Sequence, residues 1–148
     1  MKNLKAATSA TFVLLVGIIA FGMDTRKDQV NANDIDLSAC SLGEKMPIGN
    51  FIKQKLLIKN ESIGFLMYRP DPENVTGCFF MHILIENLEY RNKGLGVQFV
   101  RLFIGQAKRD GFTAIRLLAV SKAVSLYQRL DFEIIKIDPP FTEMILTF

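Results

Sequence analysis

An apolar strand that runs through a basic, glycine-containing turn into an amphipathic helix constrains this chain more than any other feature. The turn is residues 86–96, Glu-Asn-Leu-Glu-Tyr-Arg-Asn-Lys-Gly-Leu-Gly. The first amides of a helix lack intrahelical partners, and glycines let a ligand approach the main chain closely. The helix dipole favours an anion at that end, and Arg91 and Lys93 add cationic side chains that suit a phosphate. The sequence therefore predicts a phosphate-binding turn.

The spacing of the glycines excludes two common phosphate-binding loops. A P-loop has four residues between its glycines and then Lys and Ser or Thr, whereas one residue separates Gly94 from Gly96 and Val97 follows. A dinucleotide-binding fingerprint requires a glycine at the position of Phe99. The pattern that remains is Arg-x-x-Gly-x-Gly, which begins at Arg91.

A second motif lies further along the chain, at residues 121–133, Ser-Lys-Ala-Val-Ser-Leu-Tyr-Gln-Arg-Leu-Asp-Phe-Glu. It is similar to the pattern Ala-x-x-Leu-Tyr-x-x-x-Gly-Phe of the GNAT superfamily of N-acetyltransferases, and the basic turn resembles that family's coenzyme A pyrophosphate turn. The resemblance covers about residues 56–135. It implies an α/β (α+β) fold, with a mixed, mostly antiparallel central sheet flanked by helices.

The resemblance implies an enzyme that moves an acetyl group from acetyl-CoA, its co-substrate, to a primary amine by direct attack in a ternary complex. The alternative is a catalytically silent binding module of the same fold, membrane-tethered or secreted. Backbone amides of the strand before the turn, by position those of Leu84 to Glu86, would stabilise the oxyanion. The cofactor-binding residues that the resemblance implies are Leu84, Ile85, Glu86, Arg91, Asn92, Lys93, Gly94, Leu95, Gly96 and Lys122. No residue is assigned to a metal.

Acetyl transfer to an amine requires a base for the amine proton and an acid near the departing thiolate. His82, the only histidine, shares a strand face with Leu84 and Glu86 because strand side chains alternate. His82 is either the base or a core histidine with a backbone partner, and Glu86 is the rival base. Tyr127 matches the motif tyrosine that the family commonly uses as the acid. Its other interpretation is an aromatic residue packed under the helix.

Some positions depart from the family's pattern. Val120 stands where the second motif usually has Asn, and Asp131 stands where it has Gly. We therefore expect Asp131 either to take a positive φ, at a cost of about 1 kcal/mol, or to reshape the turn. Relatives begin with a strand and two helices that help to wall the acceptor site. No such pattern precedes Phe51, so the acceptor pocket is expected to be incomplete unless a homodimer completes it.

Hydrophobic patterning and turn residues predict the elements around these motifs. Helices are predicted at about 92–109, ended by Gly111, and after Ser121 as N-cap. The predicted strands are 54–59 and 62–69, joined by a hairpin turn at Asn60 and Glu61, then 75–88, 112–120, 132–137 and 142–148.

Residues 1–23 differ in composition from the rest. Lys2 and Lys5 precede an apolar run, residues 10–23, that is shorter than the ~20 residues of a spanning helix. The segment is a signal peptide, a membrane anchor involving residues 6–23, or an N-terminal apolar helix of the fold. The first two place the protein outside the cell or on the membrane, and the third in the cytoplasm.

Residues 24–47 are interpreted as a polar connector, followed by the acetyltransferase-like domain at 48–148. Cys40 and Cys78 could pair in an oxidising compartment, although two buried thiols are the commoner state. The formal net charge of +3, without long Lys or Arg runs, gives no indication of a nucleic-acid partner.

Overall fold

The strands described by a computed structural model of residues 35–148 all belong to one seven-stranded sheet. The strands are β1 (Cys40–Ile48), β2 (Phe51–Ile58), β3 (Glu61–Pro70), β4 (Gly77–Ile85), β5 (Ala114–Val120), β6 (Glu133–Asp138) and β7 (Phe141–Thr147). Their order is β1-β2-β3-β4-β5-β7-β6. Only the central pair β4 and β5 is parallel, and the other neighbours are antiparallel. This confirms the predicted mixed, mostly antiparallel sheet.

Within residues 35–148, the strands are accompanied by two helices and three short 3-10 turns. The helices are α1 (Leu95–Arg109) and α2 (Val124–Gln128), and single 3-10 turns lie at Leu37–Ala39, Leu88–Tyr90 and Ser121–Ala123. The helix predicted from residue 92 therefore begins at residue 95, after the basic turn. The prediction that Ser121 is an N-cap is wrong, because it begins a 3-10 turn and Ala123 is the N-cap of α2. None of these helices is long and apolar enough to span a membrane.

The sheet begins earlier in the chain than the sequence suggested. β1 pairs along its length with β2, so the end of the segment interpreted as a connector forms an edge strand. The domain therefore begins before residue 48, the boundary expected from the sequence. The segment was not recognised as a strand because β1 is defined by its pairing with β2. The hairpin between β2 and β3 is confirmed, but its turn residues are Lys59 and Asn60, both with positive φ. The leader, anchor or apolar helix expected in residues 1–23 lies outside the described residues.

The core lies between α1 and one face of the sheet, here called the helical face. The buried side of α1 presents Phe99, Val100 and Phe103 to apolar residues of β2, β3 and β4. The ring of Phe103 lies 4.9 Å from that of Tyr68 and 5.2 Å from that of Phe80, measured between centroids. Burying one such aromatic side chain stabilises the fold by about 2 to 3 kcal/mol. α2 buries Leu126 and Tyr127 in the same core.

Polar and backbone groups fix the end of α1 that lies far from the turn. Gly111, at φ +88°, ends the helix as predicted, with the amide of Phe112 donating to the carbonyl of Ala107. Gln106 and the buried Gln54 of β2 exchange two hydrogen bonds of 2.8 Å. These contacts hold α1 in place on the sheet, and the buried amide of Gln54 has its hydrogen-bond partners.

Side chains on the other side of the sheet define a second face, called here the distal face. It carries the alternate residues of the central strands, among them Phe51, Lys53, Phe65, Met67, Arg69, Phe79, His82 and Arg116. Cationic and aromatic side chains alternate across it. The guanidinium of Arg116 lies 5.0 Å from the centre of the Phe79 ring, for example.

Arg116 ties three parts of the chain together on the distal face. Its Nε and Nη2 donate to the carboxylate of Asp71 at 2.8 and 2.6 Å, and its Nη1 donates to Glu143 at 2.7 Å. Burial tends to raise the pKa of Asp71, but the hydrogen bonds from Arg116 and the amide of Glu73 outweigh it and lower that pKa. The network therefore links the loop after β3 to β5 and β7 with its buried charges compensated.

We expect Gly64→Ala to lower the free energy of unfolding by about 1 to 3 kcal/mol. Gly64 lies on β3 where β4 approaches closely, and an added Cβ would overlap the carbonyl oxygen of Leu84 and lie 2.9 Å from the Cα of Ile85. Urea denaturation measures the effect. The matched control is Gly105→Ala, where the nearest atom is the Arg109 Nη1 at 3.4 Å. It should raise stability by up to about 1 kcal/mol, since glycine is costly inside a helix. Unchanged stability of Gly64→Ala would contradict the close approach of the strands.

Candidate functional site

The two central strands pair only at their amino ends. β4 and β5 are paired at Gly77 with Ala114, Cys78 with Ile115, and Phe79 with Arg116. Beyond these pairs, β4 continues along β3 to Ile85, and β5 continues along β7 to residue 120. The inner edges of both strands are therefore unpaired over their carboxyl halves and border a gap. Unpaired backbone groups require partners, and at a gap a ligand can supply them.

A β-bulge lies in β4 just after the last pair with β5. Met67 pairs with His82 and Tyr68 with Phe80, so Met81 is an extra residue in β4. A bulge bends its strand and increases the local twist. It occurs where β4 must leave β5 while staying paired with β3, and it sets the direction in which His82 points.

The backbone amides of residues 84–86, at the end of β4, do not all face the gap. The amide of Glu86 donates to the carbonyl of Ile63 in β3 at 2.9 Å. In an antiparallel ladder the amides alternate in direction, so the amide of Leu84 also points to β3 and that of Ile85 points away from it. Of the three amides expected to be available to a ligand, those of Leu84 to Glu86, only that of Ile85 faces the gap. The side chain of Glu86 is exposed.

The turn before α1 presents free backbone amides to an open surface. Asn92 and Gly94 have φ of +61° and +75°, and Gly94 is the N-cap of α1 without a side-chain cap. The amides that follow, including those of Leu95 and Gly96, have no intrahelical acceptor. A Cβ added at Gly94 would meet nothing within 4 Å. Left-handed residues in such a turn point successive amides in one direction, which forms an anion-binding concavity.

Arg91 fixes this turn to the end of β4. Its Nε donates to the carbonyl oxygen of Ile85 at 2.8 Å. The side chain of Asn87 accepts from the amide of Glu89 and caps the short 3-10 turn between the strand and Arg91. Part of the guanidinium therefore positions the backbone, and its other nitrogens make no hydrogen bond within residues 35–148. Lys93 is half-buried on the same turn.

Tyr127 has a buried hydroxyl without a hydrogen-bond partner among the described residues. Its ring packs edge-on against Phe132, with 5.5 Å between centroids. Burial raises the pKa of Tyr127, so the phenol is protonated at neutral pH. A buried tyrosine hydroxyl usually finds a partner, and one without a partner marks a place for a ligand atom.

The turn after α2 keeps a left-handed residue at its motif position. Asp131 has a φ of +67°, so of the two expected outcomes the left-handed conformation is the one that occurs at the position where the motif has glycine. The amide of Phe132 donates to the carbonyl of Tyr127 at 3.0 Å. Lys122 is exposed in the 3-10 turn before α2.

His82 lies on the distal face, next to the gap. It is buried, its Nδ1 has no hydrogen-bond partner among the described residues, and its ring meets Phe65 edge-on at 5.5 Å. Burial, and then the charge of Lys53, lower the pKa of His82. It is therefore neutral at pH 7, with a nitrogen that can accept a proton. The backbone partner that the core-histidine interpretation requires is not found at Nδ1 within residues 35–148.

The two cysteines are free and buried. Both lie in the core on the helical face, and burial raises the pKa of Cys78 to about 12. A thiol with such a pKa is protonated at neutral pH and unreactive. Because both cysteines are free, the suggested disulfide between Cys40 and Cys78 is not formed.

Neither the gap nor the group of cations on the distal face was predicted from the sequence. The gap depends on which strands pair and where their pairing stops, and no single segment records that. A local signal for the cations did exist. Lys53 and Lys55 alternate with Gln54 and Leu56 along β2, a period of two that places the lysines on the face away from the core.

The chain is similar to known proteins in sequence and in fold. A family model described as the acetyltransferase (GNAT) family matches residues 24–132. No sequence among the curated proteins matches this chain. The solved structures that share its fold include an acetyltransferase from Thermus thermophilus, with 19% identity and a TM-score of 0.56, over 68% of this chain and 66% of that one.

Two further structures of the same fold contain coenzyme A. An aminoglycoside acetyltransferase in complex with coenzyme A has 18% identity and a TM-score of 0.55, over 66% of each chain. A Bacillus subtilis acetyltransferase in complex with CoA has 15% identity and a TM-score of 0.60, over 74% of this chain and 97% of that one. The chain thus spans slightly under two thirds of the length of the Thermus and aminoglycoside enzymes. Because the family model matches most of the sequence, the chain belongs to the GNAT acetyltransferase family.

Proposed function

We propose that this protein transfers an acetyl group from acetyl-CoA to a primary amine. The observation that carries the proposal is the gap between β4 and β5, which opens beside the uncapped amino terminus of α1. A long ligand with an anionic end and a reactive thioester end matches these two features together. Two proteins of the same fold contain coenzyme A in their solved structures, which supports this choice of ligand.

The residues of the turn fit the diphosphate of coenzyme A. The amides that follow Gly94 point outward without acceptors, and the space above Gly94 is open. Arg91 and Lys93 add positive charge on the same turn. The free amide of Ile85 and the unpaired edge of β5 offer backbone groups along the gap. Acetyl-CoA supplies the activated acetyl group as a thioester.

His82 is the proposed base on the amine side. A bound ammonium must lose a proton before its nitrogen can form a bond to the acetyl carbon. His82 is neutral at pH 7, and its Nδ1 lacks a partner. It lies on the distal face, whereas α1 lies on the helical face. We therefore assign the amine to the distal side of the gap and the diphosphate to the helical side.

Tyr127 is the proposed acid on the sulfur side. The reaction forms a nitrogen–carbon bond and breaks the carbon–sulfur bond, so one proton leaves the amine and one reaches the sulfur. The hydroxyl of Tyr127 is protonated and unpartnered, and the tyrosine belongs to the core of the helical face. The amide of Ile85 faces the gap as a donor for an oxyanion.

Binding of coenzyme A to the full-length protein tests the proposal. Isothermal titration calorimetry should detect it, and Gly94→Ala should weaken it about tenfold. Alanine at residue 94 would be strained by about 1 to 2 kcal/mol in the left-handed conformation. The turn can relieve this strain by rotating its amides away from the anion, which weakens binding. Gly111→Ala is the matched control, because Gly111 also has a positive φ with open space around it, at the other end of α1. It should lose similar stability and keep its affinity. No heat and no thermal shift with coenzyme A would refute the proposal.

We expect Tyr127→Phe to lower kcat by about 100-fold or more while leaving stability unchanged or raised by up to about 1 kcal/mol. The substitution removes an acid and also a buried hydroxyl without a partner. Single-turnover kinetics and urea denaturation measure the two effects. Loss of stability with unchanged turnover would identify Tyr127 as a packing residue. It would also favour the silent binding module.

The acid side of the pH–rate profile distinguishes the two candidate bases. If His82 is the base, kcat/KM should decline on the acid side with a midpoint below pH 6.5. Burial lowers the pKa of His82, and the charged imidazolium cannot accept a proton. His82→Gln should abolish that decline and most of the activity. Glu86→Gln should still show the decline. A decline that persists in His82→Gln and disappears in Glu86→Gln would assign the role to Glu86.

A further inference from the structure

We infer that the acceptor is a small amine that also carries a carboxylate or a similar anionic group, and that Lys53 and Arg69 bind this group. The inference rests on the proposed function and names its substrate class. It follows from the charges of the distal face beside His82, which the proposed chemistry itself does not use.

Lys53 and Arg69 are half-buried cations that rest on aromatic rings. The Nζ of Lys53 lies 4.0 Å from the centre of the Phe65 ring, and the guanidinium of Arg69 lies 5.7 Å from Phe51 and 5.5 Å from Phe79. Neither cation has a carboxylate within salt-bridge distance in residues 35–148. The buried Nε of Arg69 also lacks a hydrogen-bond partner there. Aromatic rings hold these charges in place without neutralising them.

Both cations are close to the proposed base. Lys53 pairs with Met67 across β2 and β3, and Met67 pairs with His82 across β3 and β4. Neighbouring strands are about 4.8 Å apart, so the backbones of Lys53 and His82 are separated by about 10 Å. Their side chains contact the same ring, that of Phe65. Arg69 follows Met67 by two residues on the same face. A short amino acid can therefore place its amine at His82 and its carboxylate at one of these cations.

Three carboxylates near this surface are already paired with one arginine. Asp71, Glu73 and Glu143 all lie within salt-bridge distance of Arg116. The surface around His82 therefore keeps the charge of Lys53 and Arg69. An amine with several positive charges would be repelled there, whereas an amine with an anionic group is attracted. Aminoglycosides, the acceptors of one structural neighbour, belong to the repelled class.

Acetylation of matched amines by the full-length protein tests the inference. The probes are the linear ω-amino acids from glycine to 6-aminohexanoate, their neutral carboxamides, and spermidine as a polycation. Transfer forms the nitrogen–carbon bond, releases free coenzyme A and a proton, and is followed as thiol release. We expect kcat/KM for at least one acid to exceed that for its amide by about tenfold, with the preference falling as salt is raised.

Variants locate the preference on the distal face. Arg69→Gln or Lys53→Gln should remove it mainly through a higher KM for the acids, while the affinity for coenzyme A stays unchanged. Lys55→Gln is the matched control, because Lys55 lies on the same strand and face but is 3.8 Å from Glu44. It should retain the preference.

Two outcomes would overturn the inference, and they differ from each other. A protein that binds coenzyme A but acetylates the amides or spermidine as fast as the acids, or acetylates none of the acids, refutes the acceptor class alone. A protein that does not bind coenzyme A refutes the proposed function and the acceptor class with it.

Discussion

The three residue pairs that join β4 to β5 are the constraint on which the site depends. A parallel pair continued to the ends of both strands would satisfy every backbone group and close the sheet. Here the pairing stops after Phe79 and Arg116, and each strand follows its other neighbour. The bulge at Met81 bends β4 at that point. The unpaired edges, the free amide of Ile85 and the start of α1 all follow from this divergence.

Diverging strands must be held together elsewhere, and Arg116 does this at the closed end of the gap. Its hydrogen bonds reach Asp71 and Glu143, so one side chain links the segment after β3 to β5 and β7. The arrangement also pairs Asp71 and Glu143, so these two carboxylates do not neutralise the cations near His82. A contact that stabilises the sheet thereby also sets the charge of the surface beside the proposed base.

Two of the site residues are buried with an unsatisfied polar atom. The hydroxyl of Tyr127 and the Nδ1 of His82 have no partner among the described residues, although such groups cost about 1 to 3 kcal/mol when left unpaired. Burial also sets their protonation, since it keeps the phenol protonated and the imidazole neutral. The same desolvation that costs stability gives each group the protonation state that acid–base chemistry requires.

The sequence determined those features that depend on neighbouring residues. The Arg-x-x-Gly-x-Gly turn, the amphipathic face of α1 and the glycine end of that helix are local, and all were predictable. The sequence also limited Asp131 to two outcomes, a positive φ or a reshaped turn. The sequence did not determine β1, the pairing limit of β4 and β5, the use of the Glu86 amide by Ile63, or the fixing of Arg91 to Ile85. These depend on contacts between residues distant in the chain. Only the tertiary structure decides them, because a strand's pairing and a buried group's partner are set by whichever segment folds against it.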